Sequence, residues 1–186
     1  MEEQEFSTRQ EITEKPVSLW KQAMTYGLYY AVVSIIINIA LYAAGAMMAK
    51  PVQYISIAVM IAAVVLIQLH YRKTLGGYIT YGQSLVIAIL SMFLAAIPIA
   101  MFTFILYKYI DPGLIDQIRM MAEEKLVEQG KLSQEQIDAA LAITSKFQTP
   151  LTISLGQIFN LPLMGLIIGL ISSIFIKKVE PDKIFE

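Results

Sequence analysis

Four stretches of this chain carry no Asp, Glu, Lys or Arg: Lys21 to Lys50, Lys50 to Arg72, Lys73 to Lys108 and Lys146 to Lys177. Each can hold the roughly 20 apolar residues needed to cross a hydrocarbon core about 30 Å thick. Four of them in 186 residues leave no length for a separate soluble core. The expected fold class is therefore all-α and integral to a membrane, a four-transmembrane-helix bundle.

The spans are expected at about 23–48, 52–69, 81–107 and 150–176. Trp20, Tyr26, Tyr29 and Tyr30 open the first with the amphipathic rings that favour headgroup depth. Lys50-Pro51 is expected to form a tight turn, because proline fixes its own φ and biases the residue before it away from helix. The second span ends at His70-Tyr71-Arg72-Lys73, and Gly76-Gly77 marks a loop. The N-terminal tail is acidic, and the first apolar run starts too late and runs too long for a cleaved signal peptide.

Lys and Arg set the expected orientation. Arg9, Lys15, Lys21, Arg72, Lys73, Lys177, Lys178 and Lys183 share one face, against Lys50, Lys108, Arg119, Lys125, Lys131 and Lys146 on the other. The richer face, with doublets flanking the second and fourth spans, is read as cytoplasmic. The chain then divides into a cytoplasmic tail (1–19), three spans (20–110), an extracytoplasmic helical hairpin (111–149), a fourth span (150–177) and a cytoplasmic tail (178–186).

Within 111–149, Leu114, Ile115, Ile118, Ala122, Leu126 and Val127 recur at helical spacing. Gly130 is a helix stop, and Ser133 with Gln136 three residues on resembles a capping box that opens a second helix. Ile137, Leu141, Thr144 and Phe147 line one face of that helix. The hairpin contact face is thus Leu114, Ile118, Leu126, Ile137, Leu141 and Phe147, and it meets its own partner helix, the membrane surface or another protein. Thr25-Tyr26-Gly27 and Thr80-Tyr81-Gly82, each before an apolar run, suggest a duplicated two-helix unit.

Inside the spans the only ionisable side chain is tyrosine, which argues against charge-coupled transport. His70 sits at a span end, as an interfacial residue. Uncharged polar and small residues form rows: Ser34, Asn38, Leu41 and Gly45; Ser84, Ala88, Ser91 and Ala95; and Gly165, Gly169 and Ser173. The last is a candidate helix-packing face, used by a sister helix or by a second copy. Asn38, Gln157 and Asn160 are a candidate polar cluster. Pro162 and Pro98 free the carbonyls of Ile158 and Leu94, and kinks there could shape a cavity.

Net charge is −1, which points to no nucleic-acid partner. The absence of cysteine excludes disulfides, thiolate metal sites and cysteine nucleophiles. Zinc-helix, nucleophile-elbow and phosphate-loop motifs are missing. No catalytic residue, metal ligand or cofactor is expected, and the protein is read as a non-enzyme.

Tyr71-Arg72-Lys73, the run Gly76-Gly77-Tyr78-Ile79-Thr80-Tyr81-Gly82-Gln83 and Tyr109-Ile110-Asp111-Pro112 resemble an uncharacterised membrane family, the domain-of-unknown-function 4199 family. The resemblance covers about residues 17–178 and includes the Lys146-Phe147 approach to the fourth span. The family's occurrence, chiefly in Bacteroidetes, implies a bacterial inner-membrane protein, and no activity transfers with the resemblance. The function expected is that of an accessory or assembly protein acting through protein contacts. The alternative is a lipid- or small-molecule-binding or transport protein with a cavity near the third and fourth spans. Expected partners are the lipid bilayer together with another membrane protein or a second copy.

Overall fold

The computed structural model describes residues 18–128, 130 and 133–179; Arg9, Lys15, Lys131 and Lys183 of the charge count, and most of both expected tails, lie outside the described residues. Among the described residues six helices follow in order: α1 (Leu19–Ala43), α2 (Lys50–Thr74), α3 (Tyr81–Ile105), α4 (Gly113–Glu128), α5 (Gln134–Phe147) and α6 (Pro150–Ile176). A π-helical turn, Leu106–Ile110, prolongs α3. Four helices among the described residues, α1, α2, α3 with its π turn, and α6, are long and apolar enough to cross a membrane. Among the described residues there is no strand, only an isolated bridge between Ile79 and Lys178.

Helix ends follow local chemistry. Thr80 with Gln83, and Ser133 with Gln136, form reciprocal capping boxes at the starts of α3 and α5. Thr149 caps α6 immediately before Pro150. The first span differs from expectation. It stops at Ala43, where Gly45 takes φ +64°, its N–H reaching the Tyr42 carbonyl and the Ala46 N–H reaching the Leu41 carbonyl, each at 2.9 Å. This is the Schellman closure that a left-handed glycine permits. Gly45 is thus a helix stop and not the end of a packing row, and the turn occupies 44–49. Lys50-Pro51 opens α2, because proline in a first turn sacrifices no helical hydrogen bond.

Helix α3 is the centre of the bundle, packed most extensively against α6 and next against α1. Its row of Ser84, Ala88, Ser91 and Ala95 is wholly buried. Between helices in lipid the attraction is dispersion, which rewards backbones that approach closely over small residues. Helix α1 supplies Ala23, Gly27 and Ala31, and a Cβ on Gly27 would lie 2.5 Å from the Ser91 carbonyl oxygen. From α6 come Gly165 and Gly169, whose added Cβ atoms would lie 2.8 Å from the Met92 side chain and 3.1 Å from that of Leu85.

Helix α2 joins unevenly. Its second half buries Val64, Ile67, Gln68 and Tyr71, whereas 53–58 are exposed. Helices α1 and α2 scarcely touch, while α3 and α6 pack extensively, so the expected duplicated unit fails. The two Thr-Tyr-Gly runs also play different parts. Thr80 is an N-cap and Gly82 faces open space, but Thr25 lies within α1, bonded to the Lys21 carbonyl, and Gly27 is a close-contact residue. Helices α4 and α5 touch each other, with Leu114, Ile115 and Ile137 buried.

Candidate ligand cavity

One end of the bundle is tied shut. The Gln68 side chain, fully buried, donates from Nε2 to the Ser84 carbonyl at 3.1 Å and to the Ser173 hydroxyl at 3.0 Å. Its Oε1 accepts from the Ser172 hydroxyl at 2.7 Å, and Ser173 Oγ donates to Ser84 Oγ at 3.1 Å. Every polar atom of this amide is therefore engaged, as burial in lipid demands. Nearby, Arg72 donates to the Ile176 carbonyl at 3.2 Å, and Ile79 and Lys178 exchange two backbone hydrogen bonds. The rings of Tyr26 and His70 lie 5.9 Å apart, joining α1 to α2 at the same end.

Beyond Ala31 and Val64 the helices part. The first half of α2 stands off from α1, α3 and α6 and leaves a cavity of about 330 Å³. Tyr30, Ser34 and Asn38 line it from α1, Ser56 and Met60 from α2, Thr103 and Tyr107 from α3 and its π turn, and Gln157 and Asn160 from α6. This inner lining contains no charged residue. An adjoining space of about 770 Å³ shares Asn38, Ser56, Met60, Tyr107, Asn160 and Met164, and is bounded by α4 through Ile118, Met121, Glu124, Lys125 and Glu128.

The π turn matters here. The Asp111 N–H reaches back to the Leu106 carbonyl at 2.8 Å, five residues away, so the turn holds one residue more than an α-helical one. Tyr107 lines the cavity, while Lys108 stands outside over the rings of Phe104 and Tyr109, at 5.1 and 5.3 Å.

The structure thus brings the candidate cluster of Asn38, Gln157 and Asn160 to a single space. Asn38 spends one N–H on the Ser34 carbonyl of its own helix at 2.8 Å. The carboxamides of Gln157 and Asn160 have no hydrogen-bond partner among the described residues, so neither supplies the carbonyl that Pro162 frees. Both Pro98 and Pro162 lie inside continuous helices. Ser34, Asn38 and Leu41, expected as a packing seam, line the cavity instead, because the first half of α2 stands off from them. Gly165, Gly169 and Ser173 face α3 and Gln68 within the chain. Of the hairpin contact face, Leu114 and Ile137 are buried, Leu126 and Leu141 half-buried, Ile118 borders the outer cavity, and Phe147 is exposed.

Sequence reasoning passed over Gln68, although Val64, Ile67, Gln68 and Tyr71 fall at the spacing of one helix face. It also passed over Thr103 and Tyr107, for which no signal existed before the π turn was known. No curated protein and no solved structure matches the chain. The family model described as "Protein of unknown function (DUF4199)" matches residues 25–178, which take in most of the first span and the whole of the other three, and the chain belongs to that family.

Proposed function

We propose that this protein is a non-enzymatic, multi-pass membrane protein that binds an uncharged amphiphile in the cavity between α1, α2 and α6. The observation that carries this reading is the pair of unengaged carboxamides, Gln157 and Asn160, in an inner cavity whose remaining lining is apolar or polar but uncharged. An amide offers both donor and acceptor, so it suits carbonyl and hydroxyl groups and has nothing with which to neutralise a charge. The inner volume of about 330 Å³ lies within the range of small-molecule sites. The Gln68 network closes the opposite end, which favours binding over conduction. The Lys and Arg distribution supports cytoplasmic termini in a bacterial inner membrane, with α4 and α5 forming an extracytoplasmic hairpin over the cavity mouth.

Native-detergent purification followed by lipid mass spectrometry tests the reading. The wild-type chain should retain one amphiphile, and Asn38→Leu/Gln157→Leu/Asn160→Leu should lose it while remaining folded. At about 0.6 kcal/mol per hydrogen bond in lipid, three bonds amount to ~2 kcal/mol, or about 20-fold in Kd. A wild-type chain that emerges empty counts against the proposal. A second reading, assembly with another membrane protein, is supported by the exposed Ile143 and Phe147 on α5. A stoichiometric protein partner, released by Ile143→Ser/Phe147→Ser, would favour it.

A further inference from the structure

We propose that the outer part of the cavity is a soft-cation site that binds Cu(I) through methionine thioethers. Five of the ten methionines, Met47, Met48, Met60, Met121 and Met164, line this one space. They arrive from four separate places: the turn after α1, then α2, α4 and α6. Elsewhere Met24, Met101 and Met120 project from the outer surface and Met92 fills the core, so the convergence belongs to the cavity. Met47, Met60 and Met164 line the inner space as well, which makes them the central three.

Apolar lining alone calls for no sulfur, since Leu, Ile and Val fill neighbouring positions of the same lining. A thioether adds a soft, neutral donor that needs no deprotonation, and this is the donor type that selects Cu(I). Harder divalent ions are poorly served: among the described residues no group of three or more His, Cys, Asp or Glu is placed to hold a metal.

The inference stands apart from the amphiphile reading, because Met→Leu removes the sulfur and nearly conserves volume. The full chain in detergent is titrated with Cu(I) under ascorbate against a chromophoric Cu(I) chelator, and a fluorescent fatty-acyl probe is titrated in parallel. Wild type should withhold one equivalent from the chelator. Met47→Leu/Met60→Leu/Met164→Leu should bind at least about 10- to 100-fold more weakly, the loss expected even for a supporting group around a metal. The surface control Met24→Leu/Met101→Leu/Met120→Leu should match wild type in both titrations. Each single substitution among the central three should also weaken Cu(I) binding, which keeps the test decisive should the triple variant fail to fold. Wild type that withholds no Cu(I), a central triple that binds like wild type, or a surface control that loses as much overturns the proposal. Failure of the acyl probe to bind wild type, with Cu(I) binding intact, overturns the amphiphile reading alone.

Discussion

Replacing Gly27 with alanine should destabilise the bundle even though alanine is the better helix former. The added Cβ would stand 2.5 Å from the Ser91 carbonyl oxygen, where Cβ atoms essentially never come within 3.0 Å and ordinary contact begins at 3.4 Å. Helix α1 must therefore recede from α3 by 3.0 − 2.5 = 0.5 Å at least, and by 3.4 − 2.5 = 0.9 Å to reach ordinary contact. The obstruction is backbone on α3, with the Ala95 nitrogen at 3.3 Å, so no side chain can swing aside to absorb it. A gap of this size forfeits about a quarter to a half of the dispersion attraction of the contacts it opens, including those of the buried Ala23 and Ala31. Overpacking of this kind costs ~1–3 kcal/mol, and alanine returns up to about 1 kcal/mol through helix propensity. The net expectation is a loss of ~1–2 kcal/mol. Gly82→Ala is the matched control: it lies in the same Thr-Tyr-Gly sequence, but its Cβ would meet nothing, so it should be neutral or stabilising by up to about 1 kcal/mol. Equilibrium unfolding in mixed micelles reads both. Trp20, the chain's single tryptophan, reports on α1 and circular dichroism on the whole. A Gly27→Ala protein as stable as wild type would refute the close approach of α1 to α3.

Gln68→Met conserves size and removes three hydrogen bonds, so the same unfolding assay should show a loss of ~2 kcal/mol. The loss stays modest because Ser172 keeps its bond to the Ile168 carbonyl and Ser173 its bond to Ser84; a value above about 4 kcal/mol would mean that a partner had been left unsatisfied. Gly165→Ala should cost less than Gly27→Ala, because its closest obstruction is the flexible Met92 side chain, and an equal or larger loss in the same assay would contradict the packing described. Ser133→Ala removes the cap of α5 and should cost ~1 kcal/mol locally. Hydrogen exchange should quicken at 135–137 and remain unchanged in α6.

The spans and their caps were legible because they depend on local chemistry: absent charge, Ser133 with Gln136, Pro150 at a helix start. Rows of small residues were legible as rows, but nothing in their spacing names the helix they meet. Gly165, Gly169 and Ser173 therefore leave a dimer face open beside a sister-helix contact, and Ser34, Asn38 and Leu41 read as a seam, when one row packs on α3 and the other lines open space. The deciding quantity is the divergence of α2, a property of the whole bundle. Gly45 misled for a simpler reason: a small residue in register with a row looks the same whether it packs or terminates, and only its backbone angle separates the two. Gln68 was hidden by its neighbours, since His70 and Arg72 make that end of the span look interfacial, although the side chain is fully buried.

Because α2 is packed into the bundle at one end and held at the other only by the turn at 44–49, it has the mechanics of a cantilever. Val52 lies sixteen positions from Gln68, about 24 Å along the helix at 1.5 Å per residue. A tilt of about 5° at the fastened end carries Val52 through roughly 2 Å. Over the free length from Met60 to Val52, a helix about 10 Å wide then sweeps roughly 150–200 Å³, about half of the 330 Å³ inner cavity. The volume available to an occupant is thus set by a few degrees of angle at a glutamine it never touches, and substitutions at Gln68 should change which occupants fit as well as how firmly the bundle holds.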